Sequence, residues 1–250
     1  METRYFKEYS RYLGREMEWK VYGRGGKLCF VFPCQGGRFF DWEDRGMCRL
    51  AEGWIDKGKL ALVCADSVDG ESWAGTGEPR RRIEMQERWF NYVCEELAPR
   101  AAGLAAPSFE GPFWAAGASM GAFHAVNFFL RRPRLFGGAI ALSGLYESEP
   151  FFGPYLDDLV YRNTPCRYME HFPAGPARPA LYAGDGPLIL CAGQGPWEEV
   201  PLASTLKLGA LLKRAGLPAL VDIWGPDVSH DWYWWQKQWT YFLEKALGPA

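Results

Sequence analysis

The sequence predicts an α/β fold, a mostly parallel central sheet flanked by helices. Three observations point there. Six short apolar runs recur along the chain, at residues 28–32, 60–64, 113–117, 139–142, 188–191 and 220–224. Each has strand length, is continuously apolar rather than alternating except for Asp222 in the last, and ends at Gly, Pro, Ser or Asp. Continuous apolar strands are buried on both faces, as in a parallel sheet. Helical patterns lie between the runs, at about 84–97, 120–130, 203–215 and 233–247, so strand and helix alternate.

Before the first run, residues 4–22 mix charged and aromatic side chains and read as edge strands at the sheet margin. One later region breaks the alternation. Residues 145–187 are rich in Pro, Gly and aromatics, and Pro150, Pro154, Pro165, Pro173, Pro176 and Pro179 forbid a long helix there. A connection of that length is a candidate cap or lid, with a surface excursion as the plain alternative. No repeat or low-complexity tract divides the chain. Residues 1–250 are therefore expected to form one domain, with 145–187 inserted.

Composition narrows the function. With 48% hydrophobic and 23% charged residues the chain is an ordinary globular protein, not a disordered one. A formal net charge of −2 supplies no basic excess for phosphates, so no nucleic-acid partner is expected. No secretory signal and no membrane-length apolar run is visible. Seven scattered Cys without a CxxC pair, and three His without ligand spacing, read as reduced thiols in a cytoplasmic protein with no metal site.

The segment Phe113-Trp-Ala-Ala-Gly117-Ala-Ser119-Met-Gly121 runs from an apolar strand into G-x-S-x-G and then a helix. This is the context of a nucleophile elbow. A tight turn lifts the Ser119 oxygen above the sheet, the glycines leave room for neighbouring backbone, and the following helix N-terminus faces an oxyanion. Against it stands a Gly-rich structural turn, which would not need the strand–turn–helix context.

A serine nucleophile needs a base. His230, in Trp224-Gly-Pro-Asp-Val-Ser-His230, follows the last apolar run and precedes the last helix, in the chain order Ser, acid, His of an α/β-hydrolase. His124, inside the helix after Ser119, reads as a packed structural residue, and His171 as a loop residue. The acid should follow the run at 188–191, where Glu198 and Glu199 are within reach. Asp222 and Asp227 are rivals, and a Glu pair at a helix start is also what the helix dipole favours.

The loop after the first run, Pro33-Cys-Gln-Gly36-Gly37-Arg38, suits an oxyanion hole, since Gly-Gly lets backbone approach a ligand. One N–H would come from Met120 and the second from Gly37 or Arg38. An ordinary turn is the plain alternative. No helix N-terminus directly follows Cys34, which speaks against a thiol nucleophile.

These residues carry a resemblance. The stretches Phe32-Pro-Cys-Gln-Gly-Gly-Arg-Phe39, Asp66-Ser-Val-Asp-Gly-Glu-Ser-Trp73, Gly117-Ala-Ser-Met-Gly121, Gly193-Gln-Gly-Pro-Trp-Glu-Glu199 and Val228-Ser-His-Asp-Trp232 resemble the esterase D-like group of α/β-hydrolases, especially its small cytosolic bacterial esterases. That group includes S-formylglutathione hydrolases, feruloyl esterases and mycolyltransferases. The resemblance implies an α/β-hydrolase fold with a sheet of about eight strands, no cofactor and acyl-ester chemistry. It puts the acid on Glu198, where many members carry Asp, and places the 66–73 loop beside the acyl site.

Phe39, Trp73 and Trp232 are then candidates to line a substrate pocket, suited to an apolar, aromatic or sugar-linked ester; otherwise they pack loops. The expected activity is hydrolysis of small-molecule carboxylic esters through an acyl-enzyme. Acyl transfer by the same triad, or binding without catalysis, is the alternative, and homo-oligomerisation is left open.

Overall fold

The computed structural model describes residues 1–105, 111–173 and 179–250. Eight strands form one sheet: β1 (Thr3–Ser10), β2 (Arg15–Tyr22), β3 (Lys27–Phe32), β4 (Leu60–Ala65), β5 (Phe113–Ala118), β6 (Phe136–Leu142), β7 (Leu188–Ala192) and β8 (Leu220–Ile223). Their spatial order is β1-β2-β4-β3-β5-β6-β7-β8. The six predicted runs are β3 to β8, and they pair in parallel throughout. The mixed segment before them is an antiparallel hairpin. Of these two strands only β1 is an edge; β2 also pairs with β4.

The strands alternate between two cores, as burial on both faces requires. Leu28, Phe30 and Phe32 of β3 enter one apolar cluster, while Cys29 and Val31 enter the other. The first cluster also takes side chains of α4 (Pro79–Tyr92), α5 (Ala98–Ala105), α6 (Met120–Arg131) and α10 (Glu199–Arg214). The second takes those of α1 (Asp41–Asp44), α2 (Met47–Leu50), α3 (Glu52–Asp56) and α11 (Trp232–Leu247).

Several boundaries differ from the sequence pattern. α4 starts at Pro79, where the Glu78 carboxylate accepts from the N–H groups of Arg80 and Arg81. Pro at the first helical position after an acidic cap is a strong start signal. A π-helical turn, Val93–Leu97, then links α4 to α5. Among its described residues the 145–187 connection holds three short α-helices, α7 (Glu149–Phe152), α8 (Asp158–Arg162) and α9 (Pro165–Glu170), each begun next to an acid or a proline, and a 3-10 turn at Pro179–Tyr182. Its stretch 174–178 lies outside the described residues.

The order of strands positions the site. From β3 the chain crosses to β4 on one side, then returns past β3 to β5 and continues outward. The loops after β3 and β5 therefore leave the sheet next to each other in opposite directions. A crevice at such a reversal point, outside the carboxyl ends of the strands, is where open α/β sheets bind ligands.

Candidate active site

Ser119 stands between β5 and α6 with φ 55° and ψ −119°, a conformation that few non-glycine residues adopt. Such a backbone costs on the order of 1–3 kcal/mol and persists only where its surroundings enforce it. Here they do. The Ser119 N–H donates to the Leu142 carbonyl at 2.8 Å. A Cβ on Gly117 would sit 2.1 Å from the Gly121 carbonyl carbon, and one on Gly121 would sit 2.2 Å from the Phe32 carbonyl oxygen. Both glycines of G-x-S-x-G are thus demanded by close backbone crossings. Ser119 makes no side-chain cap on α6, so its hydroxyl remains free for other partners.

His230 Nε2 lies 3.0 Å from Ser119 Oγ, and His230 Nδ1 lies 3.3 Å from Glu198 Oε1. The Nδ1 contact is at pairing distance but off the hydrogen-bond axis. Three groups from distant parts of the chain therefore stand in a row. Glu198 is fully buried, and the imidazole is about one-fifth exposed.

Two loops are zipped together to achieve this. Gln194 N–H donates to Gly225 O, Gly195 N–H to Val228 O, and His230 N–H to Pro196 O. A Cβ at Gly193 would meet the Val228 oxygen at 2.1 Å, so the Gly193-Gln-Gly195 sequence is what lets the acid loop press against the histidine loop. Beyond His230, Asp231 caps α11 by accepting from the N–H groups of Tyr233 and Trp234. That cap fixes the backbone immediately beside the imidazole.

The rival acids are elsewhere. Glu199 opens α10 and is exposed, Asp222 sits within β8, and Asp227 is exposed with no hydrogen bond to His230 among the described residues. The other histidines behave as read: His124 is buried with Nε2 2.8 Å from Asp69 Oδ1, and His171 is exposed beside the Tyr161 hydroxyl.

One of the two oxyanion donors expected in the loop after β3 is already engaged. Gly37 N–H already donates to Cys34 O at 2.8 Å, closing the turn. The Arg38 guanidinium is held by Asp66 and Glu18, with N–O distances of 2.8 and 2.6 Å. Burial pushes the Asp66 carboxyl up from its usual range, and the Arg38 charge opposes that shift. This pairing pins the loop to the end of β4. The residue of the loop that reaches the site is Gln35, two positions earlier.

The cleft around Ser119 encloses ≈ 170 Å³. Its polar members are Gln35, Ser119, Ser143 and His230; its apolar members are Met120, Leu145, Phe151, Trp197, Val200 and Pro201. None of Phe39, Trp73 and Trp232 lines it. Trp73 is buried and packs edge-on against Phe123, Phe151 and Phe152, so it supports the wall that Phe151 forms. Phe39 packs against Tyr5 and Phe40, and Trp232 against Trp235. Sequence reasoning passed over Trp197, Val200, Leu145 and Ser143. For Trp197 a signal existed, since a Trp directly before a candidate acid lies within one residue of the reacting groups.

Among the described residues, no group of three His, Cys, Asp or Glu is placed to hold a metal ion, and no helix is long and apolar enough to cross a membrane. All seven cysteines are free thiols. Burial raises the Cys34 thiol well above its ordinary value, with Asp41 adding to the effect.

The architecture is that of the α/β-hydrolases. Among solved structures, the chain superposes on a ferulic acid esterase with TM-score 0.73 and 16% identity, covering 97% of this chain and 96% of that one. An S-formylglutathione hydrolase from Agrobacterium tumefaciens gives 0.74 and 18%, over 98% and 95% of the two chains. The substrate-bound fluorophosphonate-binding serine hydrolase F of Staphylococcus aureus gives 0.68 and 15%, over 98% and 97%. At such identities the likeness is one of fold. No curated protein matches the chain significantly. The family model described as "Putative esterase" matches residues 10–245, and the chain belongs to that family. It is a carboxylic-ester hydrolase, related in structure to the S-formylglutathione hydrolases.

Proposed function

We propose that the protein hydrolyses small carboxylic esters through an acyl-enzyme, with Ser119 as nucleophile, His230 as base and Glu198 as the acid that orients it. The observation that carries this reading is the row formed by Ser119 Oγ, His230 and Glu198 Oε1, with separations of 3.0 and 3.3 Å. Ser119 Oγ attacks the ester carbonyl as His230 Nε2 takes its proton. The Met120 N–H, an unpaired donor at the start of α6, and the Gln35 N–H hold the oxyanion. Gln35 takes this role in place of Gly37 and Arg38 because the Gly37 N–H is already bonded to Cys34 O and because Gln35, not Arg38, lines the cleft around Ser119. The tetrahedral species collapses, the C–O bond to the alcohol breaks, and the alcohol leaves with the proton from His230. Water then attacks the acyl-enzyme, giving its proton to His230, and the acid is released with Ser119 restored.

Size limits the substrate. An apolar cavity of about 150 Å³ accepts one benzene ring. A cleft of ≈ 170 Å³ walled by Leu145, Phe151, Val200 and Pro201 therefore suits a short or single-ring apolar group rather than a long chain. Leu145 and Phe151 belong to the 145–187 insertion, and this limb is what we assign as cap over the substrate. The seven unbridged thiols favour the cytoplasm as compartment.

The test is labelling by a fluorophosphonate. The native chain should be labelled at Ser119 and hydrolyse aryl esters, and Ser119→Ala should lose both while keeping its melting temperature. Labelling or full activity in the Ala variant would overturn the nucleophile.

A further inference from the structure

Trp197 is the most exposed large apolar residue of the described chain, at 81%, and it lies on the rim of the catalytic cleft with φ +69°. Neither property has a structural return. The left-handed turn at this position carries the chain from Pro196 at the surface to the buried Glu198, and Gly or Asn would make that turn at less cost. Packing does not call for Trp either, because its ring makes no ring–ring or cation–ring contact among the described residues. By contrast, Tyr233 and Trp234, at the start of α11, each have the Lys237 ammonium over the ring. A strained, exposed aromatic beside a reacting centre is the kind of outlier that points to function.

Its side of the cleft follows from the backbone. His230 N–H is bonded to Pro196 O, so Trp197 is tied to the histidine loop. His230 must hand its proton to the departing alcohol, which places that alcohol against the histidine side. The oxyanion donors sit at Met120 and Gln35, which the chain supplies from other loops. Val200, itself 56% exposed, extends the Trp197 surface outward.

We infer that Trp197 is a stacking platform for the alcohol half of the ester, selecting a flat, weakly polar face, either an aryl ring or the C–H face of a sugar. The inference rests on the esterase reading of the site and adds which half of the substrate is recognised and by what. Stacking of a ring on an aromatic side chain contributes beyond burial of area alone, and a loss of about tenfold is expected when it is removed.

The test compares ethyl, phenyl and glucosyl esters of one small acid in the native chain, Trp197→Ala and Trp197→Phe, with fluorophosphonate labelling run on each. The expected result is a fall of about tenfold in the kcat/KM ratio of phenyl or glucosyl ester to ethyl ester for Trp197→Ala, largely restored by Phe. The phenyl and glucosyl arms tell which face is preferred. A parallel loss for all three esters would mean that Trp197 only sets the Glu198 backbone, and an unchanged ratio would mean no stacking; either overturns the inference. Absence of labelling in the native chain would instead strike the esterase reading, so the two failures are distinguishable.

Discussion

Ser143 donates its hydroxyl to Glu198 Oε1 across 2.5 Å, and that same oxygen is the one facing His230 Nδ1. Ser143 is held at φ 54°, with its N–H on Cys191 O at 2.7 Å, at the end of the strand neighbouring the elbow. The Trp235 indole N–H donates to Ser143 Oγ at 3.0 Å, so the hydroxyl proton is left to point at the carboxylate. The Trp235 ring also meets the imidazole edge-on at 4.8 Å. A chain of donors thus fixes one oxygen of a fully buried acid whose Oε2 has no hydrogen-bond partner among the described residues.

Removing a hydrogen bond to a charged group costs about 1.5–3 kcal/mol, or roughly tenfold and upward in rate if it is spent on catalytic alignment. Ser143→Ala is therefore expected to lower kcat by at least about tenfold with a small change in KM. Trp235→Phe keeps the ring but deletes the donor, and should give a weaker effect in the same direction. Steady-state kinetics on both variants check this; a change confined to KM would assign Ser143 to substrate binding instead.

The same geometry separates the candidate acids. Glu198→Gln should reduce kcat by at least ~10²-fold, because the imidazole loses the partner that fixes its tautomer. Asp227→Asn should cost less than ~10-fold, since Asp227 is exposed in its own loop. Kinetics paired with melting curves decide it, and the reverse order in two folded variants would move the acid to Asp227.

His230→Ala should leave only residual ester hydrolysis, because the group placed to take the Ser119 proton is removed. Steady-state kinetics paired with a melting curve check this, and full activity in a folded variant would require another base.

Much of this arrangement was legible because it is written in short, local constraints. A Cβ at Gly117 or Gly121 would fall 2.1–2.2 Å from neighbouring backbone, so the two glycines that flank Ser119 are dictated locally and the elbow is visible as a short motif. The Gly193-Gln-Gly195 turn and the position of His230 before a capped helix are similarly local. The pocket walls were not legible. Whether a loop aromatic turns inward or outward depends on what meets it, and Trp73 is drawn under the site by Phe123 and Phe152, from α6 and the insertion. Trp197 goes the other way because its φ of +69° turns Glu198 in and the ring out. The loop after β3 shows the same limit, since one turn hydrogen bond from Gly37 to Cys34 decides which N–H remains for a ligand.

The glycine constraints predict a stability effect. Gly117→Ala and Gly121→Ala each push a methyl group into backbone rather than into a flexible side chain. Forced overpacking typically costs about 1–3 kcal/mol even where neighbours can yield. Both variants should melt well below the native chain or fail to fold, whereas Gly153→Ala, with open space around it, should lose only the strain of φ +55°. Thermal melts followed by circular dichroism test the ranking.

Cys34 offers a last check on which atom is the nucleophile. It lies in the loop after β3, one residue before Gln35, and its Sγ contacts the Ala118 carbonyl next to Ser119. Burial and the neighbouring Asp41 both raise its thiol pKa, so the folded chain holds it as neutral S–H through pH 8. Only the thiolate reacts with alkylating agents. Iodoacetamide at pH 7 should therefore leave both Cys34 and ester hydrolysis intact for hours, and modification should appear only as the pH rises far enough or the chain unfolds. Cys34→Ser should retain most activity, since nothing in the proposed steps uses the thiol. Rapid inactivation at neutral pH, slowed by an ester substrate and absent in Cys34→Ser, would instead transfer the nucleophile's role from Ser119 to the thiol.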